Sequence, residues 1–173
     1  MNEIDRIIKL VLEKNAAYGD AWQDLGTITP AVRIIDKVRR LDNLYGTDKD
    51  IGGECIIDTL SDIVGYVLLA IAYRKQCFES TEIGPMRLPK ATITEGVLEE
   101  AKWEILKYGV KPEVTIKNAI ANLLTLAHST LSISMGHNFE ISVYEQRNYL
   151  FTMQNIGALA LRILELYYLE LES

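Results

Sequence analysis

Cysteine and histidine are scarce in this chain, which narrows the metal and redox chemistry that it can perform. Its 173 residues include only two cysteines and two histidines. Cys55 and Cys77 form no C-x-x-C motif and lie in or beside an apolar run, so we expect them to be reduced and close to the core. Neither His128 nor His137 belongs to a metal-ligand pattern. Reduced cysteines predict a cytoplasmic protein and disfavour a disulfide framework.

Positive charge and long uninterrupted apolar segments are also lacking. Eighteen Lys and Arg residues against twenty-four Asp and Glu residues give a formal charge of -6, which argues against a protein that binds duplex nucleic acid through its phosphates. The first residues contain no basic region that leads into an apolar one, and no window approaches eighteen uninterrupted apolar residues. We therefore expect neither secretion nor a membrane partner.

Helix signals dominate what is present, and strand signals are few. With 49% hydrophobic residues, the chain can bury a sizeable core. Capping residues and apolar periodicity predict six helices, over about 2–15, 30–44, 54–75, 94–107, 112–132 and 142–171. We predict an all-α helical bundle with a helical core at 1–78, a linker loop at 79–93, and C-terminal helices at 94–173 that complete the bundle.

Three carboxylates form a row inside the apolar third helix. Glu54, Asp58 and Asp62 follow at i, i+4 and i+8, so they share one stripe of the helix surface. Like charges at this spacing repel one another, which calls for a compensating cation, and a divalent metal is the simplest candidate. The alternative is a solvated acidic face, which is the usual role of charges on a helix.

Polar and aromatic side chains cluster directly after the first helix. Lys14, Asn15, Tyr18 and Trp22 combine a cation, an amide and two aromatic rings beside the flexible Gly19. Such a loop offers contacts for a base, a sugar and a phosphate. Aromatic residues four apart are equally compatible with core packing, and Asn15 and Gly19 are also typical of a helix end and a turn.

Cationic residues repeat along one face of the second helix. Arg33, Lys37 and Arg40 follow at i, i+4 and i+7. Guanidinium groups bind phosphate oxygens in bidentate fashion and lysine adds a point charge, so this row suits a di- or triphosphate. A solvated face paired with Asp36 or with the acidic row is the alternative. A basic row, an acidic row and an aromatic loop together are the parts needed to hold a metal–nucleotide complex.

A family resemblance rests on these same residues. Three motifs stand in order along the chain: Lys14-Asn15-x-x-Tyr18-Gly19-Asp20-x-Trp22, Arg33-x-x-Asp36-Lys37-x-x-Arg40-Leu41 and Glu54-x-x-x-Asp58-Thr59-Leu60-x-Asp62-x-x-x-Tyr66. Over residues 8–75 or thereabouts the chain resembles the nucleotide modification associated domain of phage and bacterial proteins. That domain is similar to the all-α MazG-like nucleotide pyrophosphohydrolases, which include the dimeric dUTPases. The MazG-like enzymes carry a Glu-x-x-Glu and a Glu-x-x-Asp pair, whereas the third helix here uses wider spacing.

The resemblance implies a reaction as well as a fold. It implies a Mg²⁺-dependent cleavage of an NTP or dNTP to monophosphate and pyrophosphate in the cytoplasm of a bacterial or phage-infected cell. Glu54, Asp58 and Asp62 would bind the metal, and Glu54 or Asp58 would act as general base. The basic row, Arg33, Lys37 and Arg40, would bind the leaving pyrophosphate, while the residues of the aromatic loop would orient the nucleoside: Lys14, Asn15, Tyr18 and Trp22.

Two further expectations concern the second half and the competing function. MazG-like proteins are commonly dimers or tetramers, so the resemblance implies a homo-oligomer whose interface lies in the C-terminal helices. Glu99 or Glu100 would complete the metal site unless their helix face is simply solvated, which is the commoner case. The competing function is a protein that binds and sequesters a nucleotide, or a signal derived from one, without cleaving it.

Overall fold

The described residues of the protein form six α-helices and one short 3₁₀ helix. The structure, a computed structural model, describes residues 2–47, 54–79, 90–109, 115–135 and 143–173. The six helices are α1 (Glu3–Tyr18), α2 (Ile28–Leu44), α3 (Glu54–Glu79), α4 (Glu95–Leu106), α5 (Ile116–Met135) and α6 (Val143–Glu172), and the 3₁₀ helix is Ala21–Leu25. No strand occurs within these ranges. The predicted all-α bundle is confirmed.

The helix ends differ from prediction where two capping signals compete. Helix α1 continues to Tyr18 instead of ending near Asn15, and it stops at Gly19, whose positive φ of 69° is easily reached by glycine. Helix α2 begins at Ile28 behind Thr27, not behind Thr29. Pro30 still lies in its first turn, where its missing N–H is not needed.

The later helices begin and end close to their predicted bounds. Thr94 caps α4 as expected, because its side-chain oxygen accepts a hydrogen bond from the backbone N–H of Val97 at 3.4 Å. Helix α5 begins at Ile116, and the predicted opening at Pro112 lies outside the described residues. Most of the predicted linker at 79–93 is likewise outside them, so the proposed division into parts stays a prediction.

Helix α3 lies at the centre of the bundle. It packs against α1, α2, α4 and α6, while α5 packs against α2 and α6. One apolar cluster runs through both halves of the chain and includes fully buried residues of α3 such as Leu60, Ile63 and Leu68. Burial of each such side chain contributes about 1.5–3 kcal/mol to the free energy of folding. This contribution explains why the apolar helix α3 lies at the centre of the bundle.

The central position of α3 also explains its apolar composition. By length and composition alone, Cys55–Cys77 would suffice to cross a membrane, with a mean hydropathy of 1.9. However, 67% of its most apolar window is buried inside the protein. A core helix has this character, and the expected absence of a membrane partner stays a prediction.

Two glycines allow close approach of helices on opposite sides of α3. A Cβ atom at Gly65 of α3 would lie 3.0 Å from Cγ2 of Val11 in α1. A Cβ atom at Gly157 of α6 would lie 3.0 Å from side-chain atoms of both Ile105 and Val67. Larger residues at either position would force the neighbouring helices apart.

An extended segment before α4 is bound to the 3₁₀ helix and to α3 by two glutamines. Buried Gln23 donates from Nε2 to the carbonyl oxygen of Ala91 at 3.0 Å and accepts from the Ala91 N–H at 2.6 Å. Gln76 makes the same pair of bonds to the backbone of Thr92, both at 2.8 Å, in an exposed setting. The segment thereby fixes the 3₁₀ helix that follows α1.

Candidate functional site

A cleft of about 770 Å³ opens between α1, the 3₁₀ helix, α2 and α3. Apolar residues of α1 and α3, among them Leu10 and Leu69, form part of its wall. Six of the residues predicted for the site line it: Lys14, Asn15, Tyr18, Trp22, Arg33 and Asp62. The volume lies in the range of small-molecule and cofactor sites.

The Asp62 carboxylate joins three helices at the edge of this cleft. Its Oδ1 accepts from Nζ of Lys14 at 2.7 Å, and its Oδ2 accepts from Nζ of Lys37 at 2.6 Å. Burial alone would raise the pKa of Asp62, but the two ammonium groups outweigh it and hold the pKa below its ordinary value. Asp62 is therefore ionised near neutral pH, and the two lysines are held together by it.

Asp58, the next member of the acidic row, is not brought to the same place. Asp58 is exposed, does not line the cleft, and lies close enough to Arg6 and Tyr168 to affect their titration. The side chain of Glu54 lies outside the described part of the structure. Within that part, no group of three His, Cys, Asp or Glu side chains is close enough to hold a metal ion.

The aromatic loop forms one wall of the cleft. Tyr18 is 82% exposed at its mouth, whereas Trp22 is half-buried and packs edge-on against Tyr73, with 6.0 Å between ring centroids. The indole Nε1–H of Trp22 donates to Oδ1 of Asn15 at 3.1 Å. Because the carboxamide oxygen of Asn15 is used in this way, its Nδ2–H group is the one available to a ligand acceptor.

The basic row is divided by its position along α2. Arg33 lines the cleft, and Lys37 lies beside it in the ion pair with Asp62. Arg40 is exposed one turn further on and is not among the lining residues. Lys14, which we grouped with the nucleoside contacts, lies instead with Lys37 around the same carboxylate.

Two polar residues of α3 that line the cleft were not predicted as site residues, although one of them, Tyr66, ends the third motif. Ser61 and Tyr66 both line the cleft, and Ser61 Oγ accepts from Nη2 of Arg6 at 3.0 Å. Tyr66 follows Asp62 by four residues, so the same-face spacing of a helix was the signal that could have identified it. The acidic residues Glu99 and Glu100 belong elsewhere, since they pair with Lys102 and Lys75 and do not line the cleft.

These observations define an all-α protein with a cleft that combines cationic, acidic and aromatic side chains. Residues 14–72 match the sequence profile of the family described as Nucleotide modification associated domain 1. The resemblance that the three motifs predicted is thus confirmed for this segment, which runs from the cleft residue Lys14 in α1 through most of α3. No curated protein and no solved structure gives a significant match.

Proposed function

We propose that this protein is a Mg²⁺-dependent nucleotide pyrophosphohydrolase that cleaves an NTP or dNTP to monophosphate and pyrophosphate. One observation carries the proposal: Lys14, Arg33 and Asp62 line the same cleft as the aromatic residues Tyr18 and Trp22, and Lys37 pairs with Asp62 beside it. A nucleotide carries the matching groups, because its phosphates are anionic and its base is aromatic. Most of the residues that line the cleft also lie in the segment similar to a nucleotide modification associated domain.

The cationic residues would hold the phosphates. Lys14 and Lys37 approach one point from two helices, and Arg33 lines the cleft on α2. Fixed cations at this edge would stabilise the charge that develops on the leaving pyrophosphate without reorganisation during the reaction. Arg40 remains a predicted phosphate contact for a longer polyphosphate chain.

The base would occupy the aromatic end of the cleft. Tyr18 and Trp22 offer ring faces on which a base can stack, an interaction that tolerates every base. Asn15 would supply selectivity, because its Nδ2–H group donates and therefore favours a carbonyl acceptor such as those on the edge of a pyrimidine. A pyrimidine deoxynucleotide is accordingly the first substrate to try.

The chemistry of the donors in α3 fits magnesium, which binds through one or two carboxylates and the phosphates of its substrate. Asp62 at the cleft and Asp58 one turn before it would supply hard oxygen ligands, and Glu54 would be the third. Bound magnesium would polarise the α-phosphate and lower the pKa of an attacking water. Glu54 or Asp58, if one is not fully engaged, would accept the proton of that water as general base.

A second function is favoured by a specific observation. Both carboxylate oxygens of Asp62 are bound by lysines, and the described residues hold no cluster of three potential metal ligands. A protein that binds a nucleotide, or a signal derived from one, without cleaving it would need the cationic and aromatic residues alone. Sequestration of a nucleotide is therefore the alternative to hydrolysis.

A nucleotide panel separates the two functions. Purified protein would be incubated with canonical and modified NTPs and dNTPs, with Mg²⁺ or with EDTA, and products separated by chromatography. Monophosphate and pyrophosphate that appear only with Mg²⁺, and not with Asp58→Asn, support hydrolysis at this site. An increase in melting temperature with a nucleotide but no product supports sequestration. Turnover that is unchanged in Asp58→Asn would contradict the proposed role of that residue.

We also propose that the protein is a cytoplasmic homo-oligomer, a dimer or a tetramer. Large apolar side chains are exposed on the C-terminal helices, including Trp103 at 60% and Phe151 at 53%. Such residues are common where subunits meet. Light scattering coupled to size exclusion would give the molar mass, and a monomer of 19.5 kDa at micromolar concentration would contradict this proposal.

A further inference from the structure

The carboxylate of Asp62 lies where a ligand anion would be bound. Its two oxygens accept from Nζ of Lys14 at 2.7 Å and from Nζ of Lys37 at 2.6 Å. The three residues come from α1, α2 and α3, so no local helix spacing produces the arrangement. Two oxygens of one phosphate group can accept from two ammonium groups in the same manner.

The surroundings of this group distinguish it from an ordinary surface ion pair. Asp62 is 20% exposed and Lys37 is 24% exposed, while Lys14 is 49% exposed at the mouth of the cleft. Charges that are partly withdrawn from water interact more strongly than charges in bulk solvent. A phosphate that approaches the lysines must displace the Asp62 carboxylate and is also repelled by it. A cation carried by the phosphate would remove both costs, because Asp62 then has another positive charge to bind.

We propose that Asp62 is a counter-ion that closes the Lys14–Lys37 anion site to free phosphates and opens it to phosphates that carry a divalent cation. The inference rests on the proposed function and makes Asp62 a specificity-determining residue of that site. Free inorganic phosphate, pyrophosphate and metal-free nucleotide are poor ligands. Their magnesium complexes are good ligands, because Lys14 and Lys37 then donate to the phosphate oxygens in place of the carboxylate.

Binding of inorganic pyrophosphate, measured by titration calorimetry in EDTA and in Mg²⁺, tests the proposal without turnover. Asp62→Asn keeps the size of the side chain and removes its charge. In EDTA we expect this variant to bind pyrophosphate at least about tenfold more tightly than the wild type. Magnesium should improve wild-type binding by a similar factor and leave the variant nearly unchanged. Asp36→Asn is the matched control, because it removes the same charge from an exposed residue next to Lys37 and should bind like the wild type.

The proposal is overturned if Asp62→Asn binds pyrophosphate in EDTA no more tightly than the wild type, or does not bind it. Should that variant fail to fold, the wild type offers a second measurement. The ammonium resonances of Lys14 and Lys37, assigned with the Lys→Arg variants in protein labelled with ¹⁵N-lysine, should shift with magnesium pyrophosphate and not with pyrophosphate in EDTA. Equal shifts in both conditions overturn the proposal.

Failure of this inference and failure of the proposed function give different results. A wild type that hydrolyses a nucleotide with Mg²⁺, together with an Asp62→Asn variant that gains no affinity in EDTA, rejects the counter-ion and keeps the enzyme. A wild type without turnover, together with a variant that gains affinity, keeps the counter-ion and rejects the hydrolase.

Discussion

The acidic row of α3 and a second acidic pair at helical spacing on α4, Glu100 and Glu104, are used in different ways. Asp62 of α3 lies in the lining of the cleft and is bound by lysines of α1 and α2. Glu104 of α4 accepts from Lys75 of α3 at 3.4 Å and from Gln154 of α6 at 2.9 Å. The first carboxylate lies beside an open volume, whereas the second connects packed helices.

The comparison shows that the surroundings of a carboxylate, and not its spacing, indicate its role. Glu104 accepts hydrogen bonds from side chains of two other helices that pack against α4, so its contribution should be to stability. Asp62 holds two cations that face a cleft large enough for a ligand, so its contribution should be to binding and chemistry. Substitution of Asp62 should therefore reduce function, whereas substitution of Glu104 should reduce stability.

The largest contrast is expected in turnover between Asp62→Asn and Glu104→Gln. If hydrolysis occurs as proposed, Asp62→Asn should lower kcat by at least about 100-fold, because a metal ligand and the counter-ion of two lysines are lost together. Glu104→Gln should change kcat by less than about twofold, because Glu104 does not line the cleft. Steady-state kinetics with saturating Mg²⁺ measures both, and comparable losses in the two variants would contradict the assignment of Asp62.

Valine substitutions at Gly65 and Gly157, the two close-approach glycines, should have similar effects on stability and different effects on nucleotide binding. Gly65→Val and Gly157→Val should each lower the free energy of unfolding by about 1–3 kcal/mol, because an added Cβ atom alone would lie 3.0 Å from a neighbouring side chain. Gly65 lines the cleft, so its variant alone should also weaken nucleotide binding.

Urea denaturation and nucleotide titration would be measured on both glycine variants. Gly96→Ala is the control, because nothing lies within 4 Å of the added atom and alanine favours a helix. The same loss of binding in Gly157→Val as in Gly65→Val would argue that the cleft depends on the whole bundle.

Glu104→Gln should produce a smaller but measurable loss of stability. We expect about 1 kcal/mol in urea denaturation, because charge-assisted bonds to Lys75 and Lys107 are weakened while the side chain keeps its size. Glu100→Gln is matched to it on the same helix: its carboxylate is 71% exposed and lies 3.8 Å from Lys75. The free energy of unfolding of that variant should stay within about 0.5 kcal/mol of the wild type. A larger loss would contradict the view that the half-buried carboxylate stabilises the fold and the exposed one does not.

The smallest effect is expected in the dependence of stability on acid pH. The folded pKa of Asp62 is lowered from 3.8, so its contribution is present above pH 3.8 and is lost as the pH falls through the lowered value. The free energy of unfolding should therefore fall more steeply below pH 3.8 in the wild type than in Asp62→Asn. Urea midpoints across this range measure the slope. Equal slopes would mean that the two lysines do not stabilise the carboxylate in solution.

The sequence predicted the helices better than it predicted their partners. The central helix α3 was easy to predict because its apolar stripe is wider than an exposed helix carries. The burial of Leu60 and Ile63 agrees with this prediction. The first residue of α2 was not clear. Thr27 and Thr29 both precede Pro30 closely, and threonine suits the N-cap of a helix, so either could have stood there. Local signals decide that a helix forms and leave its first residue to packing.

The acidic row shows why a site is harder to predict than a fold. Asp58 and Asp62 are one turn apart, yet four residues advance about 40° beyond a full turn. Asp62 lines the cleft and Asp58 is exposed outside it. No spacing links Lys14 or Lys37 to Asp62, since their contact depends on how three helices cross. The residue types in the cleft were predictable, whereas their pairing was not.

The two bonds between Gln23 and Ala91 have a consequence for the order in which the chain assembles. Gln23 is fully buried, and its carboxamide is satisfied by a backbone that is synthesised 68 residues later. Until Ala91 has left the ribosome, the loop that carries Trp22 lacks these two bonds. The α1, α2 and α3 helices can form earlier, but we expect the wall of the cleft to be completed only after them, when the segment that carries Ala91 docks onto the first half.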